Sequence, residues 1–521
     1  MGKSKTLCAG LLAGLIAGLA MTVVMLVLAW FGIATPLTII GDRLSVFIKP
    51  GPFLGLMGRV GGYNHLKQLG VGSTMAGQLL VSMLGGLIVA ALSERRRRSE
   101  TAAGVPIRWT MSIFVILPIV AIAIVLWPVL GTSYLGFPID SARIITLIGF
   151  ALSVLVFERT LVASFRFLTG PPSESTSAEF SPPIGRRALI LSGLGLLLTG
   201  GGVALLRKLY EDAAFSYDGT QYKGKIVKPI TPNDLFYCVT KNVIDPSVNE
   251  DLWHLEVTGM VQNPRAYRFQ DLDAFTKVEQ ETTLMCISNG LDAGLMSNAV
   301  WKGIALADLL NAAGPLADAK RVRLCGVDNY TDTIPIEKAL DPTTLLAFEM
   351  NGEELPDRHG YPMRAIVPGY FGEKHVKWLT RIELAGPDAK GFYETQGWGP
   401  DFIVPTRSRI DVPDHESRFS LGQLAGTPIQ IKGIAYGGDR GISRVELSND
   451  DGKTWADAKI DYPGTKLTWA LWSYDWQPAA GDYILVVRAT DGEGEVQEWE
   501  EDRSPFSGVT GFHKIILHVT A

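Results

Sequence analysis

The sequence predicts three successive domains: an N-terminal α-helical transmembrane bundle over 1–210, an α+β domain over 215–415 and a C-terminal β-sandwich of immunoglobulin type over 420–521. Three observations predict this division. Residues before Lys208 are dominated by Leu, Ala, Gly, Val and Ile; short strands alternate with helical stretches between Thr231 and Asp411; and from Gly422 onward short strands recur between turns. At 521 residues the chain is too long for a single core. Its net charge of -5 averages two different materials and says little about partners. The absence of a basic, aromatic-interleaved stretch argues against a nucleic-acid partner.

Five apolar stretches have the roughly 20 residues that a hydrocarbon core demands: Leu7–Phe31, Gly72–Leu92, Trp109–Leu130, Ala142–Leu161 and Ala188–Leu206. A secretory signal peptide would explain only the first, and because others follow it, the first reads as a retained span. Lys3, Lys5, the run Arg95 to Arg98, Arg108, Arg166, Arg186 and Arg187 fall on one side of these spans. The loop carrying Arg43, Lys49, Arg59 and Lys67 has fewer cations for its length, and the second loop on that side has almost none. Positive-inside placement then puts the N-terminus in the cytoplasm of a bacterial cell and everything after Lys208 on the periplasmic or extracellular side. Gly185-Arg186-Arg187-Ala188-Leu189 also resembles a twin-arginine export signal, although ordinary positive-inside residues explain it equally well. The stretch from Pro171 to Pro183 reads as a cytoplasmic linker.

All seven histidines (His65, His254, His359, His375, His415, His513 and His518) lie outside the expected spans, and no span carries a central charge. No haem is expected, and the bundle reads as an anchor in membrane lipid or a docking surface for a separate electron carrier. The cysteines form no CxxC pair, which excludes a zinc ribbon or thioredoxin motif. Cys8 is expected to be a small buried residue, and Cys238 and Cys325 to be core thiols.

In the second domain, Trp253–Thr258 reads as a strand and Ile304–Ala313 as a helix. In the third, Pro428–Ala435, Ser443–Ser448, Thr468–Trp476 and Tyr483–Asp491 have strand length, with Asn449-Asp450-Asp451-Gly452 supplying hairpin turn chemistry. Trp455, Trp469, Trp472 and Trp476 are best explained as core.

Two runs carry the chemistry. Cys286-Ile287-Ser288-Asn289-Gly290-Leu291-Asp292-Ala293-Gly294-Leu295-Met296-Ser297-Asn298-Ala299-Val300-Trp301-Lys302-Gly303 places a cysteine at a strand end, in a loop of small and polar residues. A thiolate there suits a nucleophile or a soft-metal ligand. His359-Gly360-Tyr361-Pro362-Met363-Arg364, followed by Pro368-Gly369-Tyr370-Phe371-Gly372-Glu373-Lys374-His375-Val376-Lys377-Trp378, gathers cationic and hydrogen-bonding groups around accessible backbone. Such a set suits a phosphate; the plainer alternative is a solvated charged turn.

Together these runs resemble the sulfite oxidase superfamily of molybdopterin oxidoreductases, and the resemblance extends from Thr231 to Ala521. Ser408-Arg409-Ile410-Asp411, Arg444-Val445-Glu446-Leu447-Ser448 and Asp451-Gly452-Lys453-Thr454-Trp455 look like the family's junction and its dimerisation domain. The resemblance implies a sulfite-oxidase-like molybdopterin domain, with molybdenum held by the pterin dithiolene and by Cys286 as the metal ligand at the catalytic centre. It implies pterin contacts from Phe236, Tyr237, Asn242, Asp328, His359, Arg364, His375, Val376 and Lys377. Asp292, Tyr393, Trp398 and Arg440 are the candidates for a substrate pocket. The chain reads Val239-Thr240-Lys241-Asn242 and Gly290-Leu291 where eukaryotic relatives carry anion-binding arginines, which puts sulfite itself in doubt. The expected activity is two-electron oxygen-atom transfer on a small oxo-substrate. Electrons would pass to or from a cytochrome or quinone-linked protein, and the dimerisation domain implies a homodimer. The alternatives are a reductase of S- or N-oxides, including methionine sulfoxide, and a non-catalytic binding or assembly protein that keeps the fold.

Overall fold

The computed structural model describes residues 3–31, 56–98 except 58, 139–170, and 183–521 except 212, 244, 400–401 and 505, plus isolated positions between these stretches. The chain divides into two compact units: Met1–Ser216 with Lys241–Ser247, and Tyr217–Thr240 with Val248–Ala521.

Among the described residues, the first unit has four long helices: α1 (Lys3–Trp30), α2 (Tyr63–Arg98), α3 (Ile139–Thr169) and α4 (Pro183–Glu211). All four are long and apolar enough to cross a membrane. The expected span Trp109–Leu130 lies largely outside the described residues, as does the linker from Pro171. Helix α1 packs against each of the other three. Small residues permit its approach to α2: a Cβ added at Gly10 would meet Ala90 Cβ at 2.7 Å, and one at Gly14 would meet Met83 Cα at 2.9 Å. Glycines that let two helix backbones approach this closely give tight van der Waals packing between the helices. Outward faces are apolar, as at Leu189, Leu196 and Leu197. Cys8 is exposed rather than buried, because α1 turns Thr6, Ala9, Gly10 and Ala13 to its neighbours and leaves position 8 on the open face.

The second unit begins with two sheets. One has the order β2-β1-β10-β5-β6, from β1 (His254–Gly259), β2 (Arg265–Arg268), β5 (Arg321–Gly326), β6 (Thr331–Pro335) and β10 (Leu379–Ala385). The other runs β3-β4-β7-β8 with β9 on β7, from β3 (Lys277–Met285), β4 (Met296–Ala305), β7 (Leu345–Met350), β8 (Glu353–Glu354) and β9 (Arg364–Ile366). Helix α5 (Leu306–Ala313) buries Leu306, Leu309, Leu310 and Ala313 along one face and stops at Gly314 in the left-handed conformation. The sequence placed this helix from Ile304. Instead, Ile304 and Ala305 finish β4, which pairs with both β3 and β7. One core takes Leu255 and Val257 from β1, Val322 and Leu324 from β5, the α5 face and Leu346 from β7.

Two further sheets follow. Strands β11 (Arg407–Val412), β13 (Ile429–Tyr436), β16 (Lys459–Tyr462) and β17 (Ala470–Trp476) form one, in the order β11-β13-β17-β16. Strands β12 (Ser417–Ser420), β14 (Ile442–Ser448), β15 (Ala456–Asp457), β18 (Gly481–Asp491) and β19 (His513–Thr520) form the other, in the order β12-β19-β18-β14-β15. Ile431, Trp472 and Trp476 of the first sheet share a core with Val445, Leu485, Val487 and Leu517 of the second, as expected for sheets stacked face to face. Trp469 is also buried, but Trp455 is only half-buried and lies beneath the Arg488 guanidinium, 4.2 Å from its ring centre. Its role is a cation–π contact at the sheet margin rather than core.

Candidate functional site

Cys286 follows the last residue of β3, where the β3–β4 ladder ends at Met285 opposite Met296. The sequence read Cys286–Gly303 as one loop, but the irregular part stops at Leu295. Its two ends are tied by the Cys286 amide donating to Leu295 O at 3.0 Å, and the Asn289 side chain accepts from Leu295 N at 2.9 Å. Strand β11 pins the loop from below. Arg407 donates to Asn289 O at 2.7 Å and Gly290 O at 2.8 Å, and Arg409 donates to Ala293 O. Cys286 is half-buried, with its Sγ 3.2 Å from Ser288 Oγ. Burial pushes its thiol up to about 11, and the negative charge of Glu373 adds to the effect.

The second run lies against the first. A Cβ at Gly372 would stand 2.5 Å from Tyr237 Oη and 3.3 Å from Met285 O, so glycine lets this backbone pass between them, with Cys286 Cα 3.7 Å from the same point. Gly360, with φ of 115°, lies where a side chain would strike Lys377 Cβ at 2.9 Å and Arg364 Cβ at 3.2 Å. These contacts fold the segment back so that Arg364 and Lys377 lie against the turn that carries His359.

His375 is buried and neutral, and its tautomer is fixed by its partners. Val367 N donates to Nδ1 at 3.1 Å, so the proton sits on Nε2 and faces Tyr370 O at 3.2 Å. Burial and the nearby Arg364 lower its pKa to about 3. His359 is also buried, with Nε2 3.0 Å from Asn233 O, and its pKa is held well below the ordinary histidine value, mainly by burial. Both folded values lie below the unfolded one. The stability each neutral ring contributes is therefore fully present above about pH 6.5 and is lost as pH falls toward the folded value, by up to about 1.4 kcal/mol per pH unit and ring. Denaturant unfolding of the full chain in detergent should show a lower midpoint at pH 5 than at pH 7. The difference should shrink in His375→Asn; an unchanged difference would contradict this assignment.

Arg364 is buried. One guanidinium nitrogen donates to His359 O at 3.0 Å and the other to His375 O at 3.4 Å, while Nε has no partner. Among the described residues no carboxylate pairs with it, and burial lowers its pKa to about 10. Lys377 donates to Arg358 O at 2.9 Å, and Arg358 donates to Asn233 O at 3.0 Å. Arg358 escaped the sequence reading, although its place beside His359 was a usable signal. A buried cation with an orphaned donor, beside further cations that bond to carbonyls and, for Lys377, also to Cys238 Sγ at 3.5 Å, is the donor set that a phosphate completes.

The other expected residues divide into those the fold brings to this region and those it does not. Phe236 stacks on Tyr237 and meets the His359 ring edge-on at 5.5 Å. Tyr237 is close enough to Cys286 and Arg364 to feel both charges. Val376 is core, and the Asp328 carboxylate lies near the backbone of Gly326, beside Val376 and Lys377. Tyr393 feels the Cys286 charge next after burial, and Trp398 packs against it at a tilt with centroids 5.0 Å apart. Asn242, in contrast, belongs to the helical unit, where Lys67 Nζ donates to its carbonyl at 2.9 Å. The Asp292 side chain is exposed. Arg440 is committed to Asp491 at 2.7 Å and to Val404 O and Thr406 Oγ1. Lys374, part of the expected cationic run, is sequestered by Asp332 at 2.6 Å. Between it and Gly372 stands Glu373, which the sequence reading passed over; burial raises its carboxyl to about 8 and leaves Oε1 without a partner.

A family model described as an oxidoreductase molybdopterin binding domain matches residues 242–393, and one described as a Mo-co oxidoreductase dimerisation domain matches 402–519. The chain is 33% identical over 317 residues to the mitochondrial sulfite oxidase of Drosophila melanogaster, covering 51% of this chain and 55% of that protein. It is 31% identical over 285 residues to the nitrate reductase (NADPH) of Aspergillus niger, covering 46% and 33%. With the sulfite oxidase of Arabidopsis thaliana the identity is 29% over 348 residues, covering 56% and 88%. The chain spans about half the length of the mitochondrial sulfite oxidases it matches.

Proposed function

Because the chain belongs to the sulfite oxidase superfamily of molybdopterin-dependent oxidoreductases, we propose that it is a membrane-anchored molybdenum enzyme transferring an oxygen atom to or from a small oxo-substrate. The observation that carries this reading is the convergence of the half-buried Cys286 thiol and the acid-free Arg364 cation on the same glycine-lined backbone. When bound, the molybdenum–pterin group supplies a two-electron redox change coupled to oxygen-atom transfer. Cys286 provides the protein's thiolate to the metal, a soft ligand for a soft centre. Arg364, with Lys377 and Arg358, neutralises the pterin phosphate. His359 and His375 stay neutral and fix the Arg364 guanidinium through their carbonyls. Tyr237, Phe236, Asp328 and Val376 line the same segment, and Tyr393 and Trp398 wall the substrate side.

Four helices of spanning length support a multi-pass anchor. With Trp109–Leu130 as a fifth span, the cation placement orients the oxidoreductase domain to the periplasmic or extracellular face. The C-terminal two-sheet domain, immunoglobulin-like in this proposal, provides a homodimer contact in keeping with the family model it matches. Electrons pass to or from a separate cytochrome or quinone-linked carrier. Purified membranes carrying the protein should contain close to one molybdenum and one pterin per chain, with the protein resisting extraction by alkaline carbonate. Metal well below one per chain after maturation in a molybdenum-replete host would favour the non-catalytic alternative.

A further inference from the structure

We propose that Cys238 and Lys377 form an oxidation-sensitive pair: peroxide closes a sulfur–nitrogen bond between them and disarms the cradle of Arg364, Lys377 and Arg358. The bond needs only the geometry of the two side chains. Its effect on the cofactor rests on the molybdenum–pterin reading above.

None of the four cysteines forms a disulfide. The group set against the buried Cys238 sulfur is an amine, with Lys377 Nζ donating to Sγ at 3.5 Å. Both atoms share a neighbour, Arg358 O, which lies 2.9 Å from Nζ and 3.4 Å from Sγ.

The two residues stand 139 positions apart and are held separately. Cys238 O accepts from Gly219 N at 2.6 Å, and Cys238 bridges to Asp218 in parallel. Lys377 is packed against two glycines: a Cβ at Gly360 would meet Lys377 Cβ at 2.9 Å, and one at Gly326 would meet Lys377 O at 2.7 Å. With both backbones fixed, the flexible four-carbon lysine stem supplies the movement that bond formation needs.

An ammonium beside sulfur favours the thiolate, the form that peroxide oxidises, and a sulfenic acid condenses readily with a nearby nitrogen. In the first step the sulfur attacks one peroxide oxygen; the sulfur–oxygen bond forms, the oxygen–oxygen bond breaks and water leaves. The Lys377 nitrogen, having released its ammonium proton to solvent, then attacks the sulfur. The sulfur–nitrogen bond forms, the sulfur–oxygen bond breaks, and the hydroxyl departs as water with a second proton from the amine. Sulfur loses two electrons and peroxide gains two; each link releases two waters and one proton. Two molecules of a thiol reductant reverse it, restoring thiol and amine and leaving as a disulfide.

A cradle open to a phosphate group is open to peroxide, and the outer face proposed above is an oxidising compartment. The linked nitrogen carries no charge and one hydrogen, where the ammonium carried three. The cradle then keeps its arginines and loses its lysine cation. A bound phosphate engages the same Nζ, so the loaded protein is protected.

The test is peptide mass spectrometry on the detergent-purified full chain, apo and cofactor-loaded, after hydrogen peroxide and alkylation of remaining thiols. The apo-protein should yield a peptide pair joining positions 238 and 377, two hydrogens lighter than the separate peptides and lost on dithiothreitol treatment; the loaded protein should yield at least about tenfold less. Lys377→Arg should give no link and leave Cys238 as a sulfenic acid that dimedone traps. Pterin retained per chain after loading and dialysis should fall about tenfold in peroxide-treated wild type, recover with dithiothreitol, and be unaffected by peroxide in Cys238→Ser. Peroxide-treated apo wild type without the linked peptide, its Cys238 recovered as thiol or sulfinic acid, would overturn the pair. A complete link with undiminished pterin retention would overturn its effect on the cradle. Neither result touches the metal-site reading. Untreated wild type that takes up no pterin would sink that reading, while the linked peptide still decides the pair.

Discussion

Cys286→Ser should lower turnover by roughly a thousandfold or more with any substrate of the wild-type enzyme, because a hydroxyl is a poor ligand for a soft metal. The fold should survive. The Cys286 side chain bonds to Ser288, through its Oγ and its backbone, and the loop is otherwise held by backbone and arginine contacts that do not involve the sulfur. Serine is smaller and can keep the Ser288 contact, so the unfolding midpoint should move little. Pterin content should also persist, since the cations assigned to its phosphate lie in the His359–Lys377 segment. Loss of activity with pterin retained separates a ligand from a structural cysteine; activity near wild type in the Ser variant would remove Cys286 from the metal.

Arg364→Leu should show the opposite pattern: weak cofactor retention in a protein that folds normally. A buried guanidinium without a carboxylate is costly in the apo-protein, as its lowered pKa indicates. Removing it relieves that cost, and leaves the carbonyls of His359 and His375 to lose one donor each, at about 1–3 kcal/mol apiece. Relief and loss are of similar size, so apo-protein stability should change by no more than about 2 kcal/mol in either direction. The phosphate, in contrast, loses a charge-assisted partner worth roughly 2–4 kcal/mol, and cofactor affinity should fall by about 30- to 1000-fold. The readout is pterin per chain after dialysis, together with the rise in unfolding temperature on cofactor loading. A variant that unfolds in its apo form but binds cofactor normally would show that Arg364 serves the fold alone.

The two runs that meet at the site were legible because each combines a reactive residue with nearby glycines, a pattern that survives without knowledge of the fold. Helix α5 was legible from periodicity, since burial repeats every three or four residues along it, and the strands of the C-terminal domain from their length between turns, with alternating burial in β19 and the first half of β13. The start of β4 was not. Ser297, Asn298 and Lys302 are polar and read as loop, yet Ser297 and Asn298 are buried and hydrogen-bonded to Tyr237, Thr283 and Pro229. Arg407 and Arg409 were likewise invisible as loop clamps, because only the pairing of β11 with β13 sets that strand beneath residues 289–293. Glu373 was masked by its setting, an acid within a run chosen for its cations. Asp292 and Arg440 were chosen from the resemblance to the family's substrate side, but the fold exposes the first and pairs the second with Asp491. Cys8 illustrates the same limit: an apolar helix without strong amphipathicity does not reveal which face its neighbours cover.

The most direct test of a molybdenum centre anchored by Cys286 is X-ray absorption at the molybdenum edge on purified wild type and Cys286→Ser. The predicted result is a metal bound by the pterin dithiolene plus a further sulfur in wild type, with one sulfur scatterer fewer in the variant. An identical sulfur shell in the two proteins, or wild type with no molybdenum to absorb, would contradict it.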